Sequence, residues 1–203
     1  MNPVHTQQPP PVLQIVVERL KAASLPTYDA LEAQMAQVCA GLQCPNPYLA
    51  LESVELPKEV WWFNEYRSAA DAERVAQAYA RNTELMDALA ALARRKQGLT
   101  DDPIDRLTSY RKSLSDGAPW LVGAAPFAVI AERRKSVAAA TGGAVFEAPD
   151  GRHFTIASAA TVAQANAKAA VLGADARVFA VRPEWSLPAE SWVTANRQLW
   201  RNR

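Results

Sequence analysis

Histidine and cysteine are scarce in this chain, and neither sign of charge dominates it. Of its 203 residues, two are histidine and two are cysteine. Cys39 and Cys44 lack a second pair, and His5 and His153 lie far from them in sequence. That ligand set is too small for a zinc-type site, so neither a metal nor a cofactor is expected. Lys+Arg number 22 against Asp+Glu 21. A groove for nucleic acid brings a basic surplus, so that partner is excluded. No apolar run reaches the ~18 residues that cross a bilayer, which argues against a membrane partner. Met1 to Gln8 carries neither a basic stretch nor an apolar core, so no signal peptide is read there. The expected location is cytoplasmic, with both cysteines reduced. Phosphate loops, dinucleotide glycine fingerprints, nucleophile elbows and zinc-binding helices are all missing. Gly142-Gly143 builds none of them.

What is present is apolar and aromatic. Hydrophobic residues make up 49% of the chain, enough for a substantial core. The most informative run is Glu59-Val60-Trp61-Trp62-Phe63-Asn64-Glu65-Tyr66. Read as a strand, it sends Trp61 and Phe63 to one face and Val60, Trp62, Asn64 and Tyr66 to the other. Neither face belongs in water. One must meet helices, the other something equally apolar, such as a second sheet. A ligand would sit in the gap between layers.

Elements follow in a readable order. Residues 1–11 form a proline-rich tail. A β-branched strand covers roughly 12–20, and a helix begins near Ser24 with a stripe of Tyr28, Leu31, Met35, Val38 and Leu42. A hairpin brings in the tryptophan strand. Ser68 caps one long helix over about 69–97, which ends on Arg94-Arg95-Lys96 and Gly98. Ile104 to Leu114 completes the first unit as a strand. The second half repeats the order in shortened form: a strand at 127–131, a short helix or loop at 135–141, and a hairpin from Ala144 to Ala157. A helix capped by Ser158, a last strand and a terminal helix with Trp185 and Trp192 follow. Ser68-Ala69-Ala70-Asp71 followed by Val75-Ala76-Gln77-Ala78 is echoed by Ser158-Ala159-Ala160-Thr161 and Val162-Ala163-Gln164-Ala165, which suggests duplication. The division is 1–11 tail, 12–114 unit one, 115–125 linker, and 126–203 unit two with its C-terminal helix.

Strand, helix, hairpin, helix, strand is the split βαβ order. The hairpin with Glu-Val-Trp-Trp-Phe, then Ser-Ala-Ala-Asp-Ala-Glu-Arg-Val and a long helix, resembles the dimeric α+β barrel superfamily. Antibiotic-biosynthesis-type monooxygenases and ferredoxin-like relatives belong to it. The resemblance covers residues 12–112, and 126–182 more loosely. It implies an α+β fold of two ferredoxin-like βαββαβ units, the second shortened, in a dimeric barrel-like arrangement and a homodimer. The family includes cofactor-independent oxygenases, haem-degrading enzymes, and proteins without assigned activity. The Asn, Trp and His set of the haem-degrading branch does not map here, since neither His5 nor His153 falls in place.

Candidate chemistry comes from scattered polar groups. Asn64, between Trp62 and Tyr66, would hold a ligand carbonyl or stabilise an enolate. The plain alternative is an amide bonded to nearby backbone. Trp61 and Trp62 would stack on a planar ligand, or simply fill the layers. Tyr66 would donate its hydroxyl to the same ligand. Glu52 and Glu65 are strand carboxylates that burial would turn into bases, or else edge charges. His153 is the proton-transfer candidate. Asn64 and His153 are therefore the catalytic pair to test, and Glu52, Trp61, Trp62, Asn64 and Tyr66 the ligand-binding set. Three functions remain: a protein binding a small apolar or aromatic ligand, a cofactor-independent monooxygenase for an aromatic or polyketide-like substrate, and an interaction module using its aromatic face for assembly. Whether the chain is an enzyme is left open.

Overall fold

Every residue of the tryptophan strand is covered by part of the same chain, and that requirement shapes the fold. The structure, a computed structural model, describes residues 8–21, 24–134 and 142–201. The elements are β1 (Val12–Arg19), α1 (Leu25–Gly41), β2 (Leu49–Ser53), β3 (Glu59–Tyr66), α2 (Ala69–Arg81), α3 (Thr83–Lys96) and β4 (Ile104–Tyr110). Then follow β5 (Phe127–Arg133), β6 (Ala144–Glu147), β7 (His153–Ala159), α4 (Val162–Leu172), β8 (Ala176–Val181) and α5 (Glu190–Ala195). The strands close into one barrel in the order β1-β3-β2-β8-β5-β7-β6-β4. Every neighbouring pair is antiparallel.

This corrects the expected fold. The described residues form a closed eight-stranded antiparallel barrel with five helices, not two ferredoxin-like units in a dimeric α+β barrel. The reason lies at the strand edges. The outer strands of each half find partners in the other half, β2 on β8 through Leu51↔Val181 and β4 on β6 through Tyr110↔Phe146. Those seams satisfy N–H and C=O groups that a separate sheet leaves open. No second chain is needed to cover the sheet.

Alternation along each strand then sorts the side chains. Leu13, Ile15 and Val17 of β1 point into the lumen, as do Trp61 and Phe63 of β3 and Phe179 and Val181 of β8. Eight strands leave an interior about wide enough for side chains to fill. Trp61 meets Phe179 at 5.3 Å and Phe154 at 6.0 Å between ring centroids. The outward face packs under helices. Val60 and Ala50 lie with Tyr28 of α1 and Trp185, while Tyr66 and Val12 meet Val75 of α2. On the other half, α4 covers Val129, Ala157 and Val178.

One end of the lumen is shut by tryptophan. Trp120, Trp192 and Trp200 join the lumen core. The Trp200 indole donates to Gly123 O at 3.0 Å, and Asn196 Nδ2 donates to Ala124 O at 2.8 Å. Gly123 has φ +82°, and a Cβ there would lie 2.5 Å from the Trp192 ring.

Smaller expectations also change. The single helix over 69–97 is two helices, because Asn82 ends α2 and caps α3 by accepting from Leu85 N. The helix of the second half is capped by Thr161, not Ser158, which still lies in β7. The echoed Val75 is therefore buried while Val162 is exposed. Cys39 and Cys44 are not free thiols but a disulfide at the end of α1. In α1 the buried side runs through Tyr28, Leu31, Glu32, Ala36 and Cys39, so Met35 and Val38 are only half-buried. Residues 1–7 of the tail and the short segment 135–141 lie outside the described residues.

Glu32 is turned inward by Lys96 of α3. Lys96 Nζ donates to Glu32 at 2.7 Å and to Glu18 at 2.7 and 3.0 Å. Glu18 also accepts from Tyr28 and, at 3.2 Å, from the Trp62 indole. Burial raises the Glu32 pKa, Lys96 opposes it, and the Glu18 charge adds to it. Burial works against the Lys96 ammonium, but the two carboxylates outweigh it and hold its pKa above the ordinary value.

Two outcomes test this packing. Gly123→Ala should cost about 1–3 kcal/mol by overpacking, read as a lower Tm. Lys96→Met leaves two carboxylates without their cation and should cost about 3–5 kcal/mol in urea unfolding.

Candidate ligand site

The end of the barrel opposite the tryptophans is open. Glu59 and Glu65 both face inward on β3, about 20 Å apart at ~3.3 Å per residue. Trp120 closes the Glu65 end, its indole donating to Glu65 Oε1 at 2.8 Å. At the Glu59 end lies a cavity of about 370 Å³. Its apolar floor is Val17, Trp61, Ile130 and Phe179, with Ile104 at the lip. Its rim is charged: Arg19, Arg106, Arg134, Arg152 and Arg177, with Glu59, Glu132 and Asp175.

The rim follows from the strand period. Most of these charges stand two residues from an apolar lumen residue on the same strand. Arg19 follows Val17, Arg106 follows Ile104, and Glu132 follows Ile130; Glu59 precedes Trp61, and Arg177 precedes Phe179. Each therefore shares the inward face. Arg19, Glu132, Glu59 and Arg177 stand on the strand-end side of their apolar neighbours; on β4 the order is reversed, with Ile104 at the strand end and Arg106 one step further in, beside Ile15.

Glu59 is fully engaged. It accepts from Arg19 Nε at 3.0 Å, from the Trp61 indole at 3.1 Å and from Arg177 Nη1 at 2.5 Å. Arg152 binds Glu132 at 2.5 Å and Asp150 at 3.0 Å. Among the described residues Arg106 has one ion pair, to Asp150 at 3.6 Å. A second crevice, of about 470 Å³, runs along Ser115 to Pro119 beside Tyr110, walled mostly by that loop and Pro9.

The residues singled out from sequence do not converge. Trp61 alone lines the cavity. Trp62, Asn64 and Tyr66 lie on the outer face of β3. The Trp62 indole is spent on Glu18, Asn64 Oδ1 accepts from Asn46 Nδ2 at 3.4 Å, and Tyr66 donates to Gln14 at 3.0 Å. Glu52 also faces outward, paired with Lys58 at 3.3 Å and with Arg182. His153 is buried on the outer side of β7. Its Nε2 is 3.9 Å from Glu147, and its Nδ1 has no hydrogen-bond partner among the described residues. The arginines were missed from sequence. Their signal is the two-residue step from an apolar inward residue to a charge, which has meaning only once the inward parity of each strand is known. Among the described residues, no group of three His, Cys, Asp or Glu is placed to hold a metal ion.

Glu65 is the carboxylate whose environment changes it most usefully. Burial raises its pKa from 4.5 to about 7, against the lowering effect of the Trp120 hydrogen bond.

No protein-family model matches the chain, and no curated protein matches it. Among solved structures it is similar to a protein from Fusobacterium nucleatum provisionally named a monooxygenase. The two share 8% identity over 89% of this chain and 94% of that one, with a TM-score of 0.51. The likeness is one of fold, and it does not single out the antibiotic-biosynthesis group. No helix among the described residues is long and apolar enough to cross a membrane.

The Glu65 shift has a sign that can be measured. The folded chain holds the proton more tightly than the unfolded one, so between about pH 4.5 and 7 stability falls as pH rises. Glu65→Gln keeps an acceptor for Trp120 and removes the charge. The variant should be more stable than the wild type by roughly 1–3 kcal/mol at pH 8, with the difference vanishing near pH 4, in urea titrations at both pH values.

Proposed function

We propose that this protein binds a small molecule with an apolar or aromatic body in the open mouth of its barrel. The observation that carries this is the blind-ended cup. Its floor is an indole and a phenyl ring, Trp61 and Phe179, and tryptophans shut the far end of the lumen. A volume of about 370 Å³ falls in the range of small-molecule pockets. Charged groups stand on the rim and upper wall, where they orient a ligand over the aromatic floor.

A second reading is a cofactor-independent monooxygenase acting on an aromatic or polyketide-like compound. The provisional name of the similar structure supports it. In this reading the rim guanidinium groups would stabilise an enolate, since Asn64 lies on the other face of β3. The assembly reading has less to stand on, because no aromatic ring of β3 is exposed.

Ile104 is half-buried at the lip, so a larger side chain there fills the cup with little disturbance to the barrel. Native mass spectrometry of the purified wild type should show a bound small molecule, and Ile104→Trp should lose it while keeping its Tm within a few degrees. An adduct that survives Ile104→Trp places the ligand elsewhere. Oxygen uptake with a panel of quinols, abolished by the same substitution, would select the enzyme over the binding protein.

A further inference from the structure

The rim carries more positive charge than its own acids neutralise. Five arginines face three acids among the lining residues. Asp150, outside the lining, offsets one of the two surplus charges through its pairs with Arg152 and Arg106. The surplus is not spread evenly. Arg19 and Arg177 are both taken up by Glu59. Arg152 is taken up by Glu132 and Asp150.

Arg106 is different. It stands on the lumen side of β4, and its side chain is only 14% exposed. A guanidinium offers five N–H donors. Among the described residues, its sole partner is Asp150, at 3.6 Å, too long for a good hydrogen bond. A largely covered arginine whose remaining donors reach the cavity beside an aromatic floor is placed to receive an anion. Arg134 also lines the mouth, and among the described residues it has no partner.

We infer that the ligand of this cup is a monoanion, an aromatic or otherwise planar carboxylic acid whose carboxylate is received by Arg106, with Arg134 beside it. The inference rests on the cup being the ligand site. The chemistry favours a carboxylate because a guanidinium fork matches its two oxygens with parallel hydrogen bonds. A dianion is disfavoured: the net surplus, with Asp150 included, is a single charge, and Glu132, Asp175 and Asp150 would repel a second negative one. The planar body follows from Trp61 and Phe179 beneath. Trp61 is itself held in place, since its indole nitrogen is bonded to Glu59.

The test uses three probes of one shape on the full chain: 2-naphthoate, its neutral amide, and 2-naphthyl phosphate. Calorimetric titration should show the naphthoate binding at least tenfold more tightly than the amide and more tightly than the phosphate. Arg106→Gln should bring the naphthoate down to the level of the amide while leaving amide binding within about twofold. Arg134→Gln, at an exposed position where folding is not at risk, should weaken the naphthoate alone, by a smaller factor. If amide and naphthoate bind equally, and Ile104→Trp blocks both, the cup stands and the anion assignment fails. If the phosphate binds most tightly, the monoanion assignment fails. If none of the three binds, or Ile104→Trp leaves their binding unchanged, the cup itself is not the site and both readings fall.

Discussion

A β-strand sends neighbouring side chains to opposite faces, and β3 carries an indole on each. Trp61 and Trp62 cannot share a layer, so the chain must cover both sides of one strand. It does so with two different materials. Outside, Trp62 and Tyr66 lie beneath helices, where Glu18 and Gln14 satisfy their polar atoms. Inside, Trp61 meets Phe154 and Phe179, which belong to the second half of the chain. Burying that inner face is what draws the two halves into one closed sheet. The seams at β2–β8 and β4–β6 then complete the hydrogen bonding that closure demands.

Within the lumen the side chains change character along the axis. Tryptophan fills one end, aliphatic and aromatic groups the middle, and arginine with glutamate the other. A fully apolar lumen would pack solid, and a fully charged one would not close. The charged end stays open because its groups need water or each other, and each ion pair there holds long side chains against the wall. Glu59 shows the economy of this arrangement: one carboxylate orients the floor indole and tethers arginines from β1 and β8. The similar structure has the same general fold at 8% identity, so the residues of this mouth are read from this chain alone.

Much of the local structure was legible. The two-faced character of β3, the hairpin around 56–58, Ser68 as a helix cap and the strands of the second half all follow from period and turn chemistry. The closed barrel was not, because strand neighbours such as Leu51 and Val181 are far apart in sequence and nothing local announces their pairing. The break at Asn82 was hidden by an apolar period that continues smoothly through it; a side chain capping Leu85 decided it. The disulfide runs against the reduced state that a cytoplasmic reading implies; a spacing of five residues at a helix end brings the two cysteines together. The Asn64 face draws attention in the sequence because an amide among aromatics resembles a binding group. The cavity lies on the Trp61 face, where the sequence shows only charges at strand ends, and these read as ordinary edges until the barrel is closed.

The most direct test of closure within one chain is an isotope-filtered NOE measurement on a mixture of labelled and unlabelled protein. Closure predicts contacts from the Trp61 ring to Phe154 and Phe179 only within labelled chains. The same contacts appearing between labelled and unlabelled chains would show that the lumen is shared by two copies, and the cup built on it would not exist.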